Sequence, residues 1–435
     1  MSYVSSMQKM PKFFYGWIIV AVSFLTLGLS YGTRQAFAIF LVPMLEEFGW
    51  SRASLSSAFS LHSVVALVSV PLGGALVDRF GPRVVFPLGS LIMILGLVMC
   101  AKSTTLWEFY IAFGLIVSFG RSIMSMGPNS AVLSNWFVKK RGKAMGIAAA
   151  GSGFAMLPLA PLLQYVISTR GWRAAYLVFS ALILLLIPLT ALLQRRTPQE
   201  MGLLPDGESD PEKYYGEPDG VAQKDRTRSG EEEEKGEEWT VLKAIGTYQF
   251  WSLFSGFFFG NLVQAVQIHQ MAFLVDVGYS RMLAASALGL IATVSTLGTI
   301  SFGTLSDRIG REISYTIGAG FGIVAILTLI LIQDPSQPWM VYLYTVLFGL
   351  GTRGSLIPSI AADIFHGRHF GAIYGVVAIG IALGNIFAPW FGGYIFDITG
   401  SYRIAFAAAM GGIALACLFI WIAAPRKAMK IGRGV

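Results

Sequence analysis

Cysteine is almost absent from this chain: 435 residues hold only Cys100 and Cys417, and both fall inside apolar runs. That excludes a disulfide framework and a thiolate metal site. Charge is sparse too, with 13% Asp, Glu, Lys and Arg against 54% hydrophobic residues, and no carboxylate lies deep in any apolar run. A mean hydropathy of +0.63 is too high for a water-soluble globule. No metal-ligand spacing, nucleophile elbow or phosphate-binding loop is present, and no soluble domain could host one. Neither enzymatic activity nor a cofactor or metal ion is expected.

What remains is largely apolar sequence. Twelve runs approach or exceed the ~20 residues that a helix needs to cross the hydrocarbon core. They fall near 14–41, 53–77, 84–102, 106–135, 142–168 and 173–194, then 247–275, 283–306, 313–332, 339–364, 370–397 and 402–424. The first is too long for a signal peptide and has no cleavage site behind it, so it reads as a retained helix. The expected fold is an all-α membrane protein whose twelve transmembrane helices form two pseudo-symmetric six-helix bundles, 1–194 and 244–435.

The net charge of +8 does not indicate nucleic-acid binding, because the positive residues sit between alternate helices. One side holds 23 Lys/Arg and the other holds 6, with three more inside the runs. By the positive-inside rule this places both termini in the cytoplasm. Between the bundles, residues 195–243 carry 8 Lys/Arg against 14 Asp/Glu, including Glu231 to Glu234. So polar a segment buries too little apolar surface to form a core, and it reads as a largely disordered cytoplasmic tether.

The halves repeat at an offset of 229 residues: Asp78-Arg79-Phe80-Gly81 recurs as Asp307-Arg308-Ile309-Gly310, and Gly142 and Gly146 recur as Gly371 and Gly375. Such duplication characterises transporters with a central site between two bundles. Both copies of the loop, Gly74 to Arg83 and Gly303 to Arg311, resemble the cytoplasmic loop motif of the major facilitator superfamily. The resemblance implies that Asp78, Arg79, Asp307 and Arg308 are gating residues, joined in a charge cluster that latches one conformation.

Trp136-Phe137-Val138-Lys139-Lys140-Arg141-Gly142, followed by a helix rich in small residues, and Tyr15-Gly16-Trp17 opening the first helix are similar to motifs of the monocarboxylate transporter family. That family includes bacterial members neighbouring the oxalate/formate antiporters, which implies a plasma (inner) membrane location. Arg34 stands where animal members carry a lysine that takes part in proton and substrate binding. The family's acid–arginine pair in the eighth helix is missing, with Ser295 and Thr299 in its place, and no lysine occupies the eleventh.

Arg34, Arg121 and Arg353 lie inside apolar runs. A central cation costs at least ~2.5–3.5 kcal/mol on insertion scales, so it turns toward water, a partner or cargo. Arg121 and Arg353 each follow a tryptophan, Trp107 and Trp339, by 14 residues, which sets them ~21 Å deep. The resemblance implies that helices 1, 4, 7 and 10 line the cavity, so the three arginines would hold an anion. Backbone carbonyls of broken helices are the alternative partners for Arg121 and Arg353, and snorkelling is the alternative for Arg34.

Helix 7 adds Asn261, Gln264, Gln267, His269 and Gln270, and helix 1 adds Tyr31. His62, Asn129, Asn385, Tyr344 and Tyr374 are weaker candidates. The expected ligand set is Arg34, Arg121, Arg353, Asn261, Gln264 and Tyr31. His269 is the candidate for proton coupling, with packing as its alternative role. The expected function is alternating-access transport of a lactate- or pyruvate-sized monocarboxylate together with a proton, and the alternative is a dicarboxylate or formate-type exchanger. The partners are then a small organic anion, protons and the lipid bilayer.

Overall fold

The structure is a computed structural model that describes residues 13–208, 239–354, 356–367 and 369–423. The two chain ends and the acidic run Glu231 to Glu234 lie outside the described residues. Nine described helical stretches are long and apolar enough to cross a membrane. One of them, Arg141–Leu193, contains 53 residues and turns at Gly171, whose φ of 83° and ψ of 165° break the helix into two crossings. Two further crossings are interrupted near their middles: 248–277 at Asn261–Val263, and 338–364 between Leu350 and Leu356.

The result is twelve spans, numbered 1 to 12: Gly16–Phe48, Arg52–Phe80, Pro82–Lys102, Leu106–Trp136, 141–170, 172–193, 248–277, Arg281–Ile309, Arg311–Leu331, 338–364, Phe370–Thr399 and Arg403–Ala423.

The offset of 229 recurs in the backbone. Spans 2 and 8 each run 29 residues, and spans 3 and 9 each run 21. Glycines that turn the chain with positive φ come in pairs at this offset: Gly49 and Gly278, Gly81 and Gly310, Gly171 and Gly400. A Cβ is disfavoured in that region, which is why glycine recurs there. Ser51 and Ser280, another such pair, cap spans 2 and 8 by accepting from Ser54 N and Leu283 N at 3.1 and 3.2 Å.

Within each bundle, a small residue brings two helix backbones together. A Cβ on Gly151 would lie 2.1 Å from the Phe24 carbonyl oxygen, and one on Gly380 would lie 2.4 Å from that of Phe254. These glycines are 229 apart, and they press span 5 onto span 1 and span 11 onto span 7. In a bilayer, where lipid is as apolar as leucine, such close packing largely drives helix association.

Both described ends of the segment 195–243 pack against the bundles. Asp206 is buried and accepts three backbone N–H groups, from Val138, Lys139 and Lys140, at 2.9, 2.7 and 3.0 Å. Trp136 Nε1 donates to the Arg195 carbonyl at 3.0 Å, so residues 195–208 strap the start of span 5. At the other end Trp239 meets the Phe365 ring edge-on at 5.1 Å. Local polarity hid this strap because its anchor is one carboxylate satisfying a turn that is distant in sequence.

Twelve crossings bring both described ends to one side, here the terminal face. On the far face the bundles are joined. Arg52 of span 2 holds Asp276 of span 7 through two bonds, at 2.8 and 3.1 Å. Asp397 of span 11 accepts from Arg52 N and Ala53 N at 2.9 Å each. Arg281 of span 8 pairs with Glu46 of span 1 at 2.5 Å. A Cβ on Gly393 would lie 2.5 Å from Ala53 N, so spans 2 and 11 touch backbone to backbone.

Candidate functional site

Two cavities adjoin each other: one of about 260 Å³ between the bundles and one of about 270 Å³ lined by the second bundle alone. Gln264 and Gln267 of span 7 and Thr352 of span 10 line both. The helix interruptions at Asn261–Val263 and at 351–354 present these residues. Broken helices are tolerated at membrane depth where they line a cavity. Among the described residues no acidic one lines either cavity.

Arg34 lines the first cavity and lies over the Phe59 ring, 4.5 Å from its centroid. Ser152, Ser295, Thr296 and Thr299 complete its polar wall. Ser295 and Thr299 therefore face the cavity at the positions where the resembling family has its acid–arginine pair. Gln35 lines the same cavity and donates to the Ser152 carbonyl at 3.3 Å.

Arg353 lines the second cavity with Asn261. Its stem crosses Gly318, where a Cβ would come 2.9 Å from Arg353 Cγ, and its guanidinium lies 5.0 Å from the Tyr315 ring centroid. Nη1 is buried without a hydrogen-bond partner. A buried donor without a partner carries a desolvation penalty of ~1–3 kcal/mol, and more when charged, which an anion would remove. Asn261 donates to the Phe257 carbonyl at 2.8 Å, across the break in its own helix.

The other expected ligands lie elsewhere. Arg121 and Tyr31 line neither cavity. Arg121 is 6% exposed, donates from Nε to His62 Nε2 at 3.1 Å and lies 5.0 Å from the Tyr31 ring centroid. Asn129 donates to the Met124 and Ser125 carbonyls at 3.0 Å each, where span 4 breaks. Tyr344 donates to Gln270 Oε1 across spans 10 and 7.

His269, the candidate for proton coupling with packing as its alternative role, lines neither cavity. It is fully buried beneath the far-face contacts. Nε2 meets the Pro389 carbonyl at 2.9 Å and Nδ1 meets Tyr402 Oη at 3.2 Å. Arg52 in turn donates to Tyr402 Oη at 2.5 Å. A carbonyl only accepts, so Nε2 carries the proton and Tyr402 donates to Nδ1. His269 thus ends a hydrogen-bonded chain from Asp276 through Arg52 and Tyr402. Sequence reasoning missed Arg52, Asp276, Asp397 and Tyr402, although charged residues at the ends of facing spans were an available signal.

Of the expected gating residues Asp78, Arg79, Asp307 and Arg308, Asp307 is the one that forms an ion pair among the described residues, with Arg311. Arg311 binds Asp307 at 2.6 Å and Asp363 of span 10 at 3.1 Å, all within one bundle. Asp78, Arg79 and Arg308 are exposed. Among the described residues Asp78 forms no ion pair, and Arg83 donates to the Ala191 carbonyl at 3.0 Å. Among the described residues no ion pair between the bundles joins these loops.

Comparisons with known proteins agree with this architecture. Monocarboxylate transporter 13 of Bos taurus is 27% identical over 403 residues, covering 91% of this chain and 86% of the relative. Monocarboxylate transporter 2 of Homo sapiens is 26% identical over 420 residues, covering 94% and 84%. Among solved structures, a D-xylose-proton symporter superposes with a TM-score of 0.69 at 17% identity, covering 94% of this chain and 97% of that one. A bacterial homologue of the lysosomal transporter Spinster gives 0.67 at 17%, covering 96% and 97%. Residues 23–362 match the family model of the Major Facilitator Superfamily. With twelve spans in two repeated bundles around a central cavity, the chain belongs to the Major Facilitator Superfamily and is a multi-pass membrane transporter rather than an enzyme.

Proposed function

We propose that this transporter carries a small organic monocarboxylate together with a proton, by rocking bundle 1–194 against bundle 244–435. One observation carries the reading: Arg34 and Arg353 enter adjoining cavities that share Gln264, Gln267 and Thr352 and, among the described residues, contain no carboxylate. A desolvated guanidinium favours an anion, and its planar fork suits a carboxylate. Span 7 amides and span 8 hydroxyls would contact the rest of the cargo. The names of the curated relatives point to the same substrate class.

With the terminal face in the cytoplasm of a plasma membrane, the structure is an inward-facing state, closed outside by the Arg52 and Arg281 contacts. Single cysteines at 215 and 334 test the sidedness. An impermeant reagent added outside should label 334 and spare 215, and the reverse pattern overturns the orientation.

A second reading, exchange of a dicarboxylate, is favoured by the presence of two cations where one carboxylate needs one. Uptake of labelled L-lactate, pyruvate, formate and oxalate into proteoliposomes decides between them. Lactate or pyruvate accumulation driven by a pH gradient is expected. Oxalate uptake that requires internal oxalate or formate and ignores the gradient would establish the exchanger.

A further inference from the structure

The polar pair Arg121 and His62 is sealed inside the first bundle, outside both cavities, and the transport reading leaves it without a task. His62 is fully buried. An arginine Nε–H only donates, so the bond to His62 Nε2 fixes the imidazole lone pair on that nitrogen. The ring proton is then on Nδ1, which donates to the Phe113 carbonyl at 3.3 Å. Phe113 lies in a π-helical stretch of span 4, Tyr110–Val117. Such wide turns alter the backbone hydrogen-bond register, and they concentrate at functional sites.

Two cations face this imidazole, Arg121 and Arg34, and Tyr31 on span 1 is the titratable group beside Arg121. No carboxylate among the described residues faces it. Arg121 has a second feature of a group awaiting a ligand: Nη1 is buried without a partner. Arg34, three residues after Tyr31 on the same helix face, enters the first cavity.

We propose that His62 is the proton-coupling residue of this transporter and positions Arg121: neutral, it tethers the guanidinium, and protonated, it releases it toward an anion held with Arg34. Adding a proton at Nε2 removes the acceptor, breaks the Nε–H to Nε2 bond and sets two cations side by side. An incoming carboxylate relieves that repulsion, so proton and anion are taken up as a nearly neutral unit, and the cost of moving net charge through the bilayer falls. The proposal deepens the proton-coupled reading above and rests on it.

The test uses full-length protein in proteoliposomes with 14C-labelled L-lactate. One proton per carboxylate gives about tenfold accumulation per pH unit of gradient. In H62Q the amide oxygen can still accept from Arg121. That variant is expected to lose gradient-driven accumulation yet keep counterflow exchange, while H269Q keeps the accumulation ratio whatever its rate. Accumulation by H62Q equal to wild type would overturn the proposal.

A second measurement needs neither cargo nor H62Q. In the H269Q/H366Q/H369Q variant His62 is the sole histidine, and its 15N spectrum should show the neutral Nδ1–H form at high pH and the imidazolium on acidification. An Nε2–H form, or a ring that never protonates, overturns the tether. A wild type that carries no carboxylate while the spectrum behaves as expected would instead locate the failure in the substrate reading.

Discussion

Replacing Arg353 with glutamine is expected to abolish most carboxylate transport and to weaken substrate binding by roughly 10- to 150-fold. The estimate takes one charge-assisted bond as about 1.5–3 kcal/mol. The guanidinium is held over Tyr315, with its stem in the gap left by Gly318, and its unpartnered Nη1 provides the donor. Lysine should restore only part of the loss, because an ammonium lacks the planar fork that grips both carboxylate oxygens. Binding by tryptophan fluorescence or isothermal titration with L-lactate, alongside uptake, separates affinity from turnover. If R353Q expresses normally and binds and transports as wild type does, the anion site lies elsewhere.

The second large effect is expected at the far face. Arg52 holds Asp276 through two bonds, donates to Tyr402 and stacks 3.6 Å from the Phe396 ring centroid. The Arg52 side chain is 18% exposed and that of Asp276 37%. Water therefore screens part of the ion pair, while the ring and hydroxyl contacts are more sheltered.

R52Q should shift the equilibrium between closed and open far-face states by about 10-fold or more toward open, the scale of ~1.5 kcal/mol. G393L should act in the same direction for a steric reason, since its Cβ would press on the Ala53 backbone. Spin labels at 102 and 336, placed in a background with both native cysteines replaced, would report the change by pulsed electron resonance. A longer distance population should grow in both variants. Distance distributions identical to wild type would show that these contacts do not hold the bundles together.

Some residues show how far the sequence could be followed. Of the glycine pairs read from the sequence at an offset of 229, Gly81 and Gly310 share the positive φ that ends spans 2 and 8, while Gly142, Gly146, Gly371 and Gly375 lie inside helices. Arg34 and Arg353 were recognisable as costly intramembrane cations, and both enter a cavity. His269 was legible as a polar residue on a central helix but not as part of the far-face seal. Its partners, Pro389 and Tyr402, come from spans 11 and 12. Asp206 was indistinguishable from other linker carboxylates until the turn at residues 138–140 was brought to it.

The sequence alone determined that the chain crosses a bilayer twelve times, that its halves repeat, and that uncompensated positive charge lies at membrane depth. Those properties follow from run length, glycine placement and the energetic cost of an isolated cation, which are local or additive along the chain. Only the tertiary structure decided that Arg34 and Arg353 face the cavities while Arg121 is tied to His62, and that the bundles close at the Arg52 face. In a membrane the lipid-facing and protein-facing sides of a helix are both apolar. Periodicity therefore marks orientation weakly, and only packing against the other spans selects which face each polar group occupies.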